Sequence, residues 1–249
     1  MTKTTETAFH ALWAKKNDRH GQFEWLPLPV HLQDTMDMAG WLWDHWMSGG
    51  PKELVVSQMQ NGNEELAGRL VRFLGGIHDL GKATPAFQTQ KGYSSSEDLD
   101  RCLLEKLEYA GFTGISDLQL ASARDTRHAL AGEVILHGSG VGGDIASIVG
   151  AHHGKPVDRV EQCDAQSAYT ANYYQSENAS SAAAQLWRNV QQEVLSWALE
   201  ESELYEIQAL PALAVPAQVI LSGLLIMADW ITSNESYFPL YPLEAEETR

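Results

Sequence analysis

The stretch Gly75-Gly76-Ile77-His78-Asp79-Leu80-Gly81-Lys82 limits what this chain can become more than any other. It closes an apolar stripe, Leu66, Leu70, Phe73, Leu74 and Ile77, whose spacing predicts a helix that carries the chain into the His-Asp pair. Asn63 stands where that helix needs a cap, and Glu64 and Glu65 suit the positive end of its dipole. Adjacent helical residues diverge by about 100°, so His78 and Asp79 cannot share one bland apolar face. They can serve two neighbouring metal ions, the carboxylate bridging and the imidazole capping one of them. The bracketing glycines let another backbone come close on one side and let the helix end on the other. A lone His-Asp pair is common by chance, so the rest of the chain decides what it means.

That rest reads as helices. Thr4 to Lys16 predicts a short helix with Phe9, Leu12 and Trp13 on its inner side. Pro27-Leu28-Pro29 opens a long helix to about Trp46, since proline is tolerated in a first turn. Pro51 to Gln60 predicts another short helix, and Thr84-Pro85 caps and starts the next. Leu99 to Phe112 and Leu120 to His137 are helical by pattern. Asp144 caps a short helix that ends at His152-His153-Gly154. Ser181 to Glu201 and Pro216 to Ser233 are the last long ones. Lys91 to Asp98 and the Ser-, Ala- and Asn-rich Ala165 to Ser181 read as loops, the second a mobile one. With no convincing alternation of period two and no internal repeat, the expectation is an all-α fold. One domain occupies residues 1–235, and 236–249 form an acidic, proline-containing tail or linker.

Composition bounds the function. Two cysteines, Cys102 and Cys163, are too few for a disulfide framework and fit a reducing, cytoplasmic setting. Ala209 to Ala228 is uncharged and long enough to span a bilayer, but two prolines, Gln218 and Ser222 interrupt it and Asp229 follows. A buried core helix is the reading, with no membrane partner. The net charge of −16, from 17 Lys+Arg against 33 Asp+Glu, argues against tight nucleic-acid binding by this chain alone. A nucleic-acid substrate would have to be delivered by something else.

Other positions stand beside the dyad. His31 opens the long helix, and His128 begins the helix in Thr-Arg-His-Ala-Leu-Ala-Gly-Glu. Ile145, Ile148, Val149 and His152 fall on one helical face, with His153 about 100° further round. Asp229 ends an otherwise uncharged helix, where an unpaired carboxylate is costly. A single helical histidine is ordinarily a hydrogen-bonded core or surface residue; five histidines and two aspartates at helix ends or inward faces are harder to explain singly. His45 lies about 21 Å along the helix from His31, and His137 about 180° round from His128, too far for the same site. His10 and His20 have no partner pattern.

The ordered set resembles the HD metal-dependent phosphohydrolase superfamily. More narrowly, it resembles the HD nuclease domain of the CRISPR-associated type I helicase-nuclease. The marks are His78-Asp79-Leu80-Gly81-Lys82-Ala83-Thr84-Pro85-Ala86-Phe87-Gln88, Ala151-His152-His153-Gly154 and Ala228-Asp229-Trp230-Ile231-Thr232-Ser233-Asn234. The resemblance implies an HD-domain helical bundle around a dinuclear metal site. His31, His78, Asp79 and Asp229 would hold one ion, and Asp79, His128, His152 and His153 the other. Lys82 would face the scissile phosphate, with Ser233 assisting nearby. A ligand set of imidazole and carboxylate without thiolate suits Mn, Fe, Co or Ni, with Mg as a further candidate. The implied substrate is single-stranded DNA, and the implied partners are a helicase and a CRISPR surveillance complex. Two departures stand out: the interval from Asp79 to His128 is roomy, which predicts an insertion near Lys91 to Asp117, and no helicase motif follows. Trp41, Trp43 and Trp46, or Tyr169, Tyr173 and Tyr174, are candidates to stack bases. The competing readings are a phosphohydrolase of nucleotides or cyclic nucleotides and a non-catalytic HD-fold interaction module; a missing ligand would mark the latter, and none is missing.

Overall fold

The computed structural model describes residues 8–92, 94–156 and 162–244. The start of the helix expected from Thr4 and the last five residues of the expected tail lie outside them. The described chain is largely helical, as expected, but it opens differently. A helical turn over residues 8–11 leads into β1 (Trp13–Arg19) and β2 (Gln22–Pro27), an antiparallel hairpin. Tyr241–Pro242 (β3) adds to β2 at Glu24 and Trp25, giving a sheet of order β1-β2-β3. The expectation of a helix to Lys16 and of no strand is corrected here. Lys16 pairs with Asp100 and sits over the Trp13 ring, so a charge-rich strand gains partners that a lone helix would not offer.

The helices carry the core. α1 (Leu28–His45) begins with proline in its first turn, and α2 (Gly49–Val56) follows. In α3 (Glu64–Ile77) the Asn63 side chain accepts from Leu66 N, and of the apolar stripe Leu70, Phe73, Leu74 and Ile77 are buried and Leu66 half-buried. The helix ends at Ile77, and a 3₁₀ turn over Leu80–Lys82 takes the chain to α4 (Pro85–Gln88), capped by Thr84. α5 (Glu97–Tyr109) lies between Lys91 and Asp117, and packs Leu99 and Leu103 against Trp13 and Trp25 of the sheet.

α6 is shorter than expected, His128–Gly138, because Thr126 is held by Gln166 and Asn172 rather than by a helix. α7 (Gly143–Gly150) starts after Gly142. Asp144 does not cap it; its carboxylate accepts from Leu213 N instead. His152 and His153 lie in the turn beyond it. Ala165 to Ser181, expected to be mobile, contains a 3₁₀ run, Asp164–Tyr169, and α8 (Thr170–Tyr174), with Asn172 and Tyr173 buried. α9 (Ala182–Glu201) is capped by Ser181, and α10 (Val215–Thr232) closes the bundle.

α1 packs on α3 and α10, α6 on α7, and α7 on α10. Leu32, Met36, Phe73, Leu74, Leu221 and Leu225 meet in one continuous core. Among the described residues α10 is the helix long and apolar enough to cross a membrane. Here it lies against α1, α2, α3 and α7. From the expected tail, Leu240 is buried beside Leu26 and Val30, so the sheet fastens the start of that segment.

Candidate metal centre

Two close backbone approaches bring the site together. A Cβ on Gly75 would lie 2.7 Å from both Met36 Cα and Thr35 O, so glycine lets α3 close onto α1 one turn after His31. A Cβ on Gly81 would lie 2.6 Å from Gly132 N and 2.8 Å from the His128 carbonyl carbon, which sets α6 against the turn after Asp79. Under α1 and α10, Thr35 and Thr232 share a buried hydroxyl bond of 2.9 Å. These contacts deliver His31, His78, Asp79, His128, His152, His153 and Asp229 to one place.

They form two groups. His31, His78, Asp79 and Asp229 are buried together; His128, His152 and His153 form the second set. Asp79 looks at both. Its Oδ2 lies 3.1 Å from His31 Nε2 and 3.3 Å from His78 Nε2, and its Oδ1 lies 3.4 Å from His128 Nε2 and 3.5 Å from His152 Nε2. Asp229 Oδ1 is 3.4 Å from His31 Nε2 and 3.5 Å from His78 Nε2. The three imidazoles also crowd: His153 Nε2 is 2.6 Å from His128 Nε2. His10, His20, His45 and His137 belong to neither group.

Backbone carbonyls fix the rings. Gly75 O takes His78 Nδ1 at 2.8 Å, and Val149 O takes His152 Nδ1 at 2.6 Å. A carbonyl only accepts, so each Nδ1 carries a proton and each Nε2 is the ring nitrogen turned toward the cluster. Ser233 Oγ donates to Asp229 Oδ1 at 2.9 Å. Lys82 Nζ lies 2.6 Å from Asp79 Oδ2 and donates to the Ala14 carbonyl at 3.2 Å. Ala14 is the extra residue of a bulge between Trp13 and Lys15, so its carbonyl is free for that bond.

The electrostatics follow from burial and crowding. Burial favours a neutral Asp79, but Lys82 and His78 outweigh it and hold its carboxyl well below the usual range. Asp229 is likewise lowered against its burial, by His31 and His78. Burial opposes a charge on His78, yet Asp79 and Asp229 raise its pKa to about 10. Burial lowers His31, and burial aided by Lys82 and the adjacent imidazoles pushes His128 down to about 3. The carboxylates thus draw positive charge onto His78, and a bound cation competes for the same Nε2.

The residues fit a metal. His31 Nε2, His78 Nε2, Asp79 Oδ1 and His152 Nε2 are buried without a hydrogen-bond partner among the described residues. Each such orphan costs about 1–3 kcal/mol, and they converge on one another rather than scatter. The donors are imidazole nitrogen and carboxylate oxygen with no sulfur, a borderline set suited to first-row divalent ions.

Sequence reasoning overlooked Lys15, Arg127 and Lys155, which border the cluster. Lys15 was hidden by the expected helix, and the other two lack any periodic pattern. Tyr173 is buried and Tyr174 lies under Arg188, while Trp43 is buried and Trp41 and Trp46 are exposed.

Fold and site together define a helical HD-type domain with a His/Asp metal-binding cluster. A family profile described as "Cas3, HD domain" matches residues 13–238, and the chain belongs to that CRISPR-associated family. It is 51% identical over 239 residues to the CRISPR-associated nuclease/helicase Cas3 of Streptococcus thermophilus, covering 95% of this chain and 26% of that protein. It is 27% identical to the endonuclease/helicase Cas3 of Thermus thermophilus, covering 95% and 23%. The chain therefore spans about a quarter of the length of these relatives. Among solved structures, T. fusca Cas3-ATP superposes with a TM-score of 0.63 at 24% identity, over 92% of this chain and 23% of that one. The T. thermophilus Cas3 HD domain in the presence of Ni2+ superposes with a TM-score of 0.55 at 21% identity, over 98% and 84%. At those identities the likeness speaks for the fold.

Proposed function

We propose that this chain is a metal-dependent phosphodiesterase that degrades single-stranded DNA at two divalent ions, working with a helicase in type I CRISPR interference. The observation that carries the reading is Asp79, whose two oxygens face two separate sets of donors. His31, His78, Asp79 and Asp229 would hold one ion; Asp79, His128, His152 and His153 would hold the other. Mn, Fe, Co or Ni suits this donor set better than Mg. Divalent ions bound there supply Lewis acidity, acidifying water and offsetting the charge of a phosphodiester.

The chain's own side chains do the rest. Lys82 holds Asp79 ionised and in place, and adds a positive charge beside the scissile phosphate. Ser233 fixes Asp229, and the Gly75 and Val149 carbonyls fix two imidazoles. No serine or cysteine nucleophile is required.

The context is part of the proposal. In this reading residues 1–235 are the nuclease domain and 236–249 a linker toward a helicase domain, in the cytoplasm. The relatives named above are nuclease/helicases of which this chain spans about a quarter. A helicase that supplies a single strand under the direction of a surveillance complex would answer the −16 charge, which disfavours unaided capture of DNA.

The test is to measure bound metal and then offer circular single-stranded DNA, duplex DNA and a nucleotide panel with added Mn or Ni. Degradation of the circular single strand is expected. Turnover of nucleotides alone, or inertness of a correctly metallated chain toward every substrate, would overturn the reading.

A further inference from the structure

A polyanion must reach this cluster on a chain with 33 acidic and 17 basic residues. Most of the described cations are already tied up. Lys16, Lys52, Arg69, Arg72 and Arg101 are paired with carboxylates, and so are Arg19, Lys82 and Lys91. Lys106 and Arg188 lie over the rings of Trp25 and Tyr174. Lys15, Arg124, Arg127 and Lys155 make no ion pair with a described residue, and all but Arg124 border the cluster.

Lys15 flanks the half that contains Asp229. Side chains alternate along a strand, and Lys16 is turned to Asp100 and the Gln90 carbonyl, so Lys15 faces the other way. There it is partly buried, within the field of Lys82, Asp229, Asp79 and Glu235. Arg127 and Lys155 flank the other half. With Gln90, His128 and His153 they line a cavity of about 370 Å³ that opens onto the imidazole set. Arg127 and Lys155 are exposed.

We propose that Lys15 on one side, and Arg127 with Lys155 on the other, form a short cationic track that seats the phosphates flanking the one over Asp79. The inference rests on the nuclease reading and adds to it the residues that hold the strand. The surrounding acidic surface repels DNA elsewhere and confines a single strand to this line. With three cations the footprint is a few phosphates, which keeps unaided affinity low.

The test uses the metal-loaded full chain and a fluorescent phosphorothioate single strand that resists cleavage. Binding is followed against salt for wild type, for the triple variant Lys15→Gln/Arg127→Gln/Lys155→Gln, and for Arg124→Gln. Each lost phosphate contact flattens the slope of log K against log salt by about 0.7 for a single strand. The triple variant should lose about 2 in slope and at least about tenfold in affinity at low salt, with wild-type metal content. Arg124→Gln, a cation outside the cavity, should change neither. The charge-keeping triple Lys15→Arg/Arg127→Lys/Lys155→Arg should recover most of the binding, which separates charge from misfolding.

An unchanged slope in the glutamine triple, loss of its metal, or equally poor binding by the charge-keeping triple would overturn the track. A wild type that binds along the track yet cleaves nothing would sink the nuclease reading alone. Intact cleavage with no effect of the glutamine triple on binding would sink the track alone.

Discussion

Gly81→Ala is the substitution whose consequence is best worked out from the geometry. The added methyl would lie 2.6 Å from Gly132 N and 2.8 Å from the His128 carbonyl carbon, and closer still to the His128 carbonyl oxygen. All three are backbone atoms of α6, so no flexible side chain can give way. Ordinary contact begins at 3.4 Å, so the Gly132 N contact alone asks α6 to retreat by about 0.8 Å and the nearer carbonyl oxygen by well over about 1 Å. His128 rides on the first residue of that helix, with its Nε2 3.4 Å from Asp79 Oδ1. Overpacking of this kind costs about 1–3 kcal/mol, a fall in Tm of roughly 2–12 °C for a domain of this size. A shift near 1 Å at a reacting centre costs on the order of 100-fold in rate. The assay is calorimetry with Mn or Ni, thermal unfolding, and cleavage of a single-stranded oligonucleotide. The expected result is one binding event preserved, the one held by His31, His78 and Asp229, with the other weakened. Gly138→Ala is the control, because nothing lies within 4 Å of its added methyl. Gly81→Ala with two intact binding events and cleavage within about threefold of wild type would refute the reasoning.

Three further outcomes follow from the same structure. Gln88→Ala should lower stability by about 3 kcal/mol, read by thermal unfolding, because its side chain satisfies Trp13 N, Trp13 O and Lys82 O inside the protein; a change under about 0.5 kcal/mol would contradict this. Ser233→Ala should leave the fold intact and weaken metal binding about 10–100-fold, since it frees Asp229 from its hydroxyl partner; unchanged calorimetric affinity would show that Asp229 needs no such support. In the metal-free chain, burial and then the Lys82 charge lower the Lys15 pKa to about 8. The charge on Lys15 is therefore present at pH 7 and lost as pH rises through about 8. Lysine 13Cε NMR should show a resonance titrating there that Lys15→Gln removes, and a Lys15 that titrates above 10 would contradict the burial argument.

The candidate metal-site residues could be picked out as a set because several sit where local sequence logic marks a boundary. Asn63 and Thr84 cap helices on either side of His78-Asp79, prolines start the helix that holds His31, and Asp229 interrupts an uncharged run. The hairpin was not legible. Phe9, Leu12 and Trp13 fit a helical stripe, and the Ala14 bulge breaks the alternation that would betray β1. Ala165 to Ser181 misled for another reason. Its polar residues read as solvent-facing, yet Gln166, Asn172 and Tyr173 bury themselves by bonding to Thr126 and to one another. Such pairings join distant segments, and no local window contains them. The same holds for Lys15, whose place beside Asp229 depends on the strand it occupies.

The central claim is that Asp79 joins two metal sites that together cut single-stranded DNA. Its most direct test is to count bound Mn or Ni per chain for wild type and Asp79→Ala, with cleavage of circular single-stranded DNA measured on the same samples. The account predicts about two equivalents and cleavage for wild type, and loss of both for Asp79→Ala with the fold retained by circular dichroism. An Asp79→Ala chain that cleaves at the wild-type rate would contradict it.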